Sequence, residues 1–182
     1  MPIVTGDLKF KKSLHVVAAG PGNGNTHDLE IDSLGGGISA TELVSGELHG
    51  LFDAVPSAEA ASGRVEYRLI YVQNTHATLT LYDAKVFIFA NTASPDSTIE
   101  IGLDPVAGNG VDSLILLDDE VDSGNELSAV VFGEHSDFAS GLDIGNLQAG
   151  EQRAVWVRRT ISPGAAAAAE TATISLRGDT DA

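Results

Sequence analysis

Apolar residues recur at every second position in several short segments, and this period of two constrains the fold more than any other feature. The clearest case is "RVEYRLIYVQN", residues 64–74, where one face carries Val65, Tyr67, Leu69 and Tyr71. Glu66 and Arg68 alternate with them, so we expect the first half of this segment to have one buried and one solvated face. The pattern predicts a β-strand.

Further segments of the same kind follow at close and fairly regular spacing. They occupy residues 79–91, 97–104, 111–117, 127–132, 142–148, the second half of 145–161, and 171–177. Turn residues in "ASPDS", "DPVAGNG" and "DSGNE" separate them. Seven or more short strands with this punctuation predict an all-β protein, an antiparallel β-sandwich of the jelly-roll or immunoglobulin-like kind.

Residues 1–50 are rich in glycine and show little sustained alternation. They are predicted to form an extended N-terminal arm with short strands, and residues 51–182 the sandwich domain. A short helix is predicted at residues 57–63, with Ser57 as its N-cap and Gly63 as its end. For "SPGAAAAAE", residues 162–170, a helix and a small-residue loop are both open.

Composition removes several classes of function. The 182 residues, 43% of them hydrophobic, are enough for one domain with a real core. Cysteine is absent, so disulfides, thiolate metal sites and a cysteine nucleophile are excluded. A net charge of -16 disfavours nucleic acid as a partner. No apolar run approaches the roughly 18 residues of a membrane span. We therefore expect a soluble cytoplasmic product with no membrane partner.

Catalytic, metal and cofactor motifs are weak, and no catalytic residue, metal ligand or cofactor is assigned. The histidines are dispersed without an i, i+4 pair and are His15, His27, His49, His76 and His135. The motif G-x-S-x-G does not occur. "GPGNGNTHD", residues 20–28, lacks the G-K-[ST] of a phosphate loop, so a flexible loop is expected there.

Two other short motifs have more ordinary interpretations. The run at residues 116–126 gathers oxygen ligands of the type calcium prefers, namely Asp118, Asp119, Glu120, Asp122, Asn125 and Glu126. Their spacing departs from that of a calcium loop, so a solvated acidic hairpin is favoured. The tripeptide Arg177-Gly178-Asp179 can engage integrins on an exposed loop, but here a solvated tail after the last strand is expected.

Residues 145–161, "GNLQAGEQRAVWVRRTI", combine the only tryptophan with three arginines. Val155 and Val157 are predicted on one face of a strand, with Ala154 and Trp156 on the other. Trp156 belongs either to the core, with its indole N–H bonded to a carbonyl, or to a subunit interface. The candidate interface residues are Lys9, Phe10, Lys11, Lys12, Phe87, Phe89, Trp156, Arg158 and Arg159. Phe87 and Phe89 are included because both faces of their strand become apolar, as in a central strand or one that meets a partner.

The chain also resembles a family of small virion structural proteins from tailed bacteriophages. The resemblance spans residues 5–177 and rests on "SLGGGISATEL", the block at residues 51–88, "TIEIGLDP" and "AGEQRAVWVRRTISPGAAA". It implies a non-enzymatic structural protein. Together with size and charge it favours a capsid decoration (cement) protein, a homotrimer on the capsid surface, assembled in the host cytoplasm.

The major capsid protein is then the expected partner. The basic opening "LKFKKSLHVV" is expected to pair with an acidic capsid surface, and the arm to bridge neighbouring capsomers. The alternatives are a tail-tube, tail-adaptor or baseplate subunit, and a host- or carbohydrate-binding module at the virion surface. A glycan hydrolase would need two acids within about 10 Å lining a deep cleft.

Overall fold

The computed structural model describes residues 2–14, 33–164 and 170–180 of the chain. Its strands are β1 (Leu8–Leu14), β2 (Gly37–Glu42), β3 (Arg64–Asn74), β4 (Leu81–Ala90), β5 (Ser97–Leu103), β6 (Leu142–Leu147), β7 (Gln152–Ile161) and β8 (Thr173–Thr180). The helix α1 (Ser57–Ser62) and a 3-10 turn at Thr5–Asp7 complete the regular elements. All strand pairs are antiparallel, in one sheet of order β2-β1-β3-β7-β5 and another of order β6-β4-β8. The predicted all-β antiparallel sandwich is confirmed.

The two sheets enclose a first apolar core. Alternate residues of β3 and β7 point into it, among them Ile70, Val72, Val155 and Val157. The facing residues of the smaller sheet include Leu81, Val86, Ile88, Ile144 and Leu147. β4 is the central strand of that smaller sheet. This position is one of the two explanations given above for the apolar residues on both faces of the strand around Phe87 and Phe89.

A second core lies on the opposite face of the five-stranded sheet. The sheet contributes Leu69, Tyr71, Ala154 and Trp156. Irregular segments at residues 33–36 and 104–132, which we call the loop layer, cover them with Leu34, Ala107, Leu117, Leu127 and Val130. The central strands β3 and β7 are therefore buried on both faces over residues 69–72 and 154–157. The predicted placement of Val155 and Val157 on one face of β7, with Ala154 and Trp156 on the other, is confirmed. Residues of the same chain cover both of these apolar faces.

The predicted strands at residues 111–117 and 127–132 are wrong, since both segments belong to the loop layer. The first is extended, but the backbone N–H groups of Ser113 and Ile115 bond to side-chain oxygens, and only Leu116 forms an isolated bridge, to Gly35. In the second, Leu127 and Val130 are buried at a spacing of three, because a turn joins Val130 N to Leu127 O.

The expected solvated face of β3 is also wrong. Glu66 and Arg68 are only 2% and 1% exposed. The segment around Phe52 folds over them, and the guanidinium groups of Arg68 and Arg159 lie 5.2 and 4.6 Å from the centroid of its ring. Glu66 forms an ion pair with Arg159, so an opposite charge and not solvent stabilises the Glu66 carboxylate on this face.

The boundary expected at residue 50 does not separate an arm from the sandwich. The predicted short strands exist as β1 and β2, but β1 lies between β2 and β3 in the larger sheet. The described part of residues 1–50 is thus built into the sandwich. The glycine-rich stretch at residues 20–28 lies outside the described residues, as does most of 162–170.

The helix predicted at residues 57–63 is confirmed as α1, ending at Gly63. Its N-cap is Pro56 and not Ser57, and no side chain caps the first turn.

The tripeptide Arg177-Gly178-Asp179 lies within β8, so the expectation of a solvated tail is wrong. Arg177 pairs with Lys85 and Asp179 with Tyr82 of β4. A Cβ on Gly178 would lie 2.5 Å from the Tyr82 carbonyl oxygen, which explains why glycine stands there. The tripeptide is part of a sheet and not of a displayed loop.

Candidate functional site

Asp104 anchors the start of the loop layer to the sheet beneath it. Its carboxylate is fully buried, and Oδ2 accepts from Trp156 Nε1 at 3.0 Å and from the Ser113 hydroxyl at 2.5 Å. Oδ1 accepts from the backbone N–H groups of Val106 and Ala107 at 2.9 and 2.8 Å. Burial alone would raise the pKa of Asp104, but these hydrogen bonds together outweigh it and hold the pKa below its usual value. The group is a structural carboxylate, ionised at neutral pH.

The Tyr71 hydroxyl joins the two segments of the loop layer. It donates to the Gly36 carbonyl oxygen at 2.5 Å and accepts from the Ser113 N–H at 2.8 Å. Burial, assisted by the nearby carboxylates of Asp112 and Asp104, raises the pKa of Tyr71. The phenol therefore remains protonated and able to donate.

Arg153 holds the adjoining turn from the sheet side. Its guanidinium donates to the carbonyl oxygens of Ala107 and Asp104, the latter at 3.3 Å. Burial lowers the pKa of Arg153, and the Asp104 carboxylate partly opposes that shift. The Asp104 carboxylate, the Tyr71 hydroxyl and the two Nη atoms of Arg153 all bond to groups that fix the loop layer. We call these three residues, with Ser113 and Trp156, the anchor cluster.

The loop layer exposes several large apolar side chains. Along residues 112–117 the side chains alternate, so Ser113 and Leu117 point inward while Leu114 and Leu116 remain 77% and 41% exposed. Other large exposed apolar side chains occur on the same layer. We call the set the loop face: Val106, Val111, Leu114, Leu116, Val121 and Val131.

The charged residues within the loop layer itself are all acidic. Residues 86–152 contain no lysine or arginine. Asp112 and Asp118 are exposed on the loop layer, while Glu120 is neutralised by Arg64 and Arg68 at 2.9 and 2.6 Å. The loop face is therefore an apolar surface accompanied only by negative charge from its own segment.

The acidic run at residues 116–126 folds as consecutive turns and not as the expected hairpin. The Asp119 carboxylate accepts from the N–H groups of Val121 and Ser123, and Asp122 accepts from the N–H of Glu126. These carboxylates are directed at their own backbone. In the described ranges, no group of three or more His, Asp or Glu side chains could hold a metal ion.

The candidate interface residues lie on β1, β4 and β7. Trp156 is wholly buried in its own chain, so it belongs to the core and not to a subunit interface. Its indole N–H donates to the Asp104 carboxylate and not to a backbone carbonyl. Arg158 pairs with Glu100 at 2.6 Å and lies over Phe132, and Arg159 pairs with Glu66. These β7 residues are thus engaged within the chain.

The remaining candidates differ in accessibility. Phe87 is buried against Phe138, whereas Phe89 is 71% exposed. On β1, Lys9 pairs with Glu42 at 3.0 Å, and Phe10 packs against the first core. Lys11 and Lys12 are half-exposed. The basic residues of β1 lie in a paired strand and not on a separate arm.

The histidines do not converge where they are described. His76 Nδ1 accepts from the N–H groups of Thr78 and Leu79, and His135 Nδ1 lies 2.8 Å from the Ser140 carbonyl oxygen. His49 is exposed, and His15 and His27 fall outside the described residues. None of the helices in the described chain has the length and apolar character needed to cross a membrane.

The anchor cluster went unrecognised in the sequence except for Trp156. Asp104 stands before Pro105, and this pair of residues predicts a turn. It does not indicate that Asp104 bonds to a tryptophan 52 residues away.

Comparison of the chain with models of protein families, with curated proteins and with solved structures gives no significant match.

Proposed function

We propose that this chain is a non-enzymatic structural protein of a tailed-bacteriophage virion, and specifically a capsid decoration protein that binds the outer capsid lattice. The observation that carries the proposal is the loop face, six exposed apolar side chains on a layer that the anchor cluster bonds to the sheet. Exposed apolar patches of this kind mark protein–protein contacts. The resemblance of residues 5–177 to virion structural proteins supplies the class of partner.

The charge of the loop face specifies the capsid surface that it fits. Asp112 and Asp118 flank apolar residues and have no basic neighbour in sequence. The complementary surface is an apolar patch of the major capsid protein surrounded by lysine and arginine. This differs from the expectation that the basic opening of the chain pairs with an acidic capsid surface. Of its lysines, Lys9 is paired with Glu42 within the sheet, while Lys11 and Lys12 are half-exposed.

A non-catalytic role is supported by the use made of the unusual ionisable groups. Hydrogen bonds that fix the loop layer lower the pKa of Asp104, and burial lowers the pKa of Arg153, whose Nη atoms donate to carbonyl oxygens of the same layer. Stabilisation of a capsid needs no bond chemistry. It requires many identical contacts, which together resist outward pressure even when each is weak.

Binding to purified expanded capsids tests the proposal. Wild-type protein is expected to cosediment with capsids and to saturate at a copy number set by the lattice. Leu114→Asp should weaken binding about tenfold or more, since it replaces apolar burial with an unpaired charge. Leu48→Asp is the matched control because Leu48 is 73% exposed outside the loop layer, and it should bind like wild type.

The outcomes separate the parts of the proposal. Wild-type protein that leaves expanded capsids unbound would contradict decoration. A saturation of only a few copies per particle would favour a tail-tube, adaptor or baseplate subunit. Binding that Leu114→Asp leaves unchanged would retain decoration and exclude the loop face as the docking surface.

A further inference from the structure

Two of the outer sheet edges are covered by the chain itself. On β5, the backbone of Ile101 exchanges hydrogen bonds with Gly133 at 2.9 and 3.0 Å, and the Asn91 side chain bonds both N–H and C=O of Ile99. On β6, the Asn109 side chain donates to the carbonyl oxygens of Ile144 and Asn146 at 3.1 and 2.5 Å. Such coverage prevents edge-to-edge association.

The β8 edge has no such cover. β8 pairs with β4 on one side, from Thr173 to Thr180. On its other side, no hydrogen bond to β8 is found in the described ranges 2–14, 33–164 and 170–180. Eight residues of regular strand with unpaired backbone groups are a template for another strand.

An apolar groove adjoins this edge. It has a volume of about 390 Å³ and lies between β8 and the N-terminal segment at residues 3–10. Its half-buried lining includes Leu8, Phe10, Ile174 and Leu176. A strand added to β8 would place alternate side chains at this groove, so main-chain pairing and apolar burial would act together.

The side chains of β8 favour a second copy of the same strand. The bulges in the β4–β8 pair fall on β4, where two residues, Asp83 and Ala84, face the single residue Gly178, so β8 keeps its own alternation. Arg177 and Asp179 are both exposed on the face away from the core. If two β8 strands pair antiparallel about Gly178, Arg177 of each copy stands opposite Asp179 of the other. The pairing produces two cross-strand ion pairs related by a twofold axis.

We propose that the chain forms a twofold dimer by antiparallel β8–β8 pairing centred on Gly178. The two smaller sheets then join into one continuous six-stranded sheet, with Leu176 of each copy opposite Thr180 of the other. The inference concerns self-association alone and holds whether or not the protein binds a capsid. It replaces the homotrimer implied by the family resemblance, because one self-complementary edge generates a dimer and not a threefold ring.

Sedimentation equilibrium measures the prediction directly. Wild-type protein is expected at twice the 18.8 kDa chain mass. Asp179→Arg places like charges opposite each other at both symmetric positions and should weaken the dimer about tenfold or more. The exchange Arg177→Asp/Asp179→Arg restores both ion pairs and should restore the dimer. Asp118→Arg makes the same charge change on the exposed loop layer and should leave the dimer intact.

A covalent test fixes the register independently of the charge variants. Since the chain has no cysteine, Leu176→Cys/Thr180→Cys introduces the only thiols, and opposite positions bring Cβ atoms within about 5.5 Å. Mild oxidation should yield a disulfide-linked dimer, while Thr173→Cys alone should not. A monomeric or trimeric wild type, or a dimer with no response to Asp179→Arg and no 176–180 crosslink, would overturn the proposal.

Discussion

The indole N–H of Trp156 donates to Oδ2 of Asp104 across 3.0 Å, and both residues are wholly buried. The bond ties β7 to the turn that begins the longer segment of the loop layer. Because the loop layer has a single isolated bridge, Gly35 to Leu116, as regular structure, its position depends on such side-chain bonds and on apolar packing. The loop face therefore depends on a contact made beneath it.

Asp104→Asn should lower the free energy of unfolding by about 2–3 kcal/mol. An asparagine retains one acceptor for the N–H groups of Val106 and Ala107, but its amide then faces the indole N–H of Trp156, and two donors are opposed. Urea unfolding followed by tryptophan fluorescence measures the loss. Asp118→Asn, at an exposed position, should change stability by less than about 0.5 kcal/mol. Equal effects of the two variants would contradict a structural role for Asp104.

The lowered pKa of Asp104 predicts a loss of stability in acid. Its folded pKa lies below the unfolded value of about 3.9, so the unfolded chain binds the proton more readily. The stabilisation is complete above the unfolded pKa and is lost as the pH falls through the folded pKa. Between pH 5 and pH 2.5, the unfolding free energy of wild type should decline more steeply than that of Asp104→Asn.

Two other carboxyls with lowered pKa values do not obscure that difference. The pKa of Asp119 is lowered by the Ser123 hydroxyl, and that of Asp137 by the Ser140 N–H. Both groups are present in wild type and in Asp104→Asn alike, so subtracting the two pH profiles isolates Asp104. Parallel profiles would show that Asp104 titrates equally in the folded and unfolded states.

Glu66→Ala should cost about 3–5 kcal/mol of stability. Glu66 is paired with Arg159, whose side chain is 14% exposed, so the substitution leaves this guanidinium without its counter-ion. Arg64, 2.9 Å from the other oxygen of Glu66, keeps its pairs with Glu59 and Glu120. Glu42→Ala breaks the exposed pair with Lys9 and should cost at most about 1 kcal/mol. Chemical denaturation of both variants checks the ranking, and a smaller loss for Glu66→Ala would be inconsistent with a buried pair.

Deleting residues 1–14 should abolish cooperative unfolding. The deletion removes β1, which pairs with β3 from Leu8 to Lys12 and with β2 on its other side. Deleting residues 1–4, which end before the 3-10 turn, should leave a cooperative transition. Differential scanning calorimetry distinguishes the two, and a folded protein without residues 1–14 would restore the idea of a separable arm.

Strand alternation predicted most of the framework. β3, β4, β5 and β7 have apolar residues at period two because each contributes one face to the first core, and that pattern is local. The same local rule failed for Glu66, because its burial depends on Arg159, 93 positions away in the chain. Long-range ion pairs have no signature in a short window of sequence.

The loop layer shows a different failure. Residues 111–117 alternate as a strand does, yet Ser113 N bonds to the Tyr71 hydroxyl and Ile115 N to the Ser113 hydroxyl. The N–H groups of Ser113 and Ile115 thus bond to side-chain oxygens and not to a neighbouring strand. The local sequence does not indicate which acceptor each N–H group uses. The loop face was missed for the same reason, since it exists only once the layer has been folded onto Trp156.

A reconstruction of the virion by electron cryomicroscopy tests decoration most directly. We expect density for this 18.8 kDa chain at every equivalent position of the capsid lattice, with the loop face toward the shell. Density confined to the tail, or a handful of copies at one vertex, would contradict it.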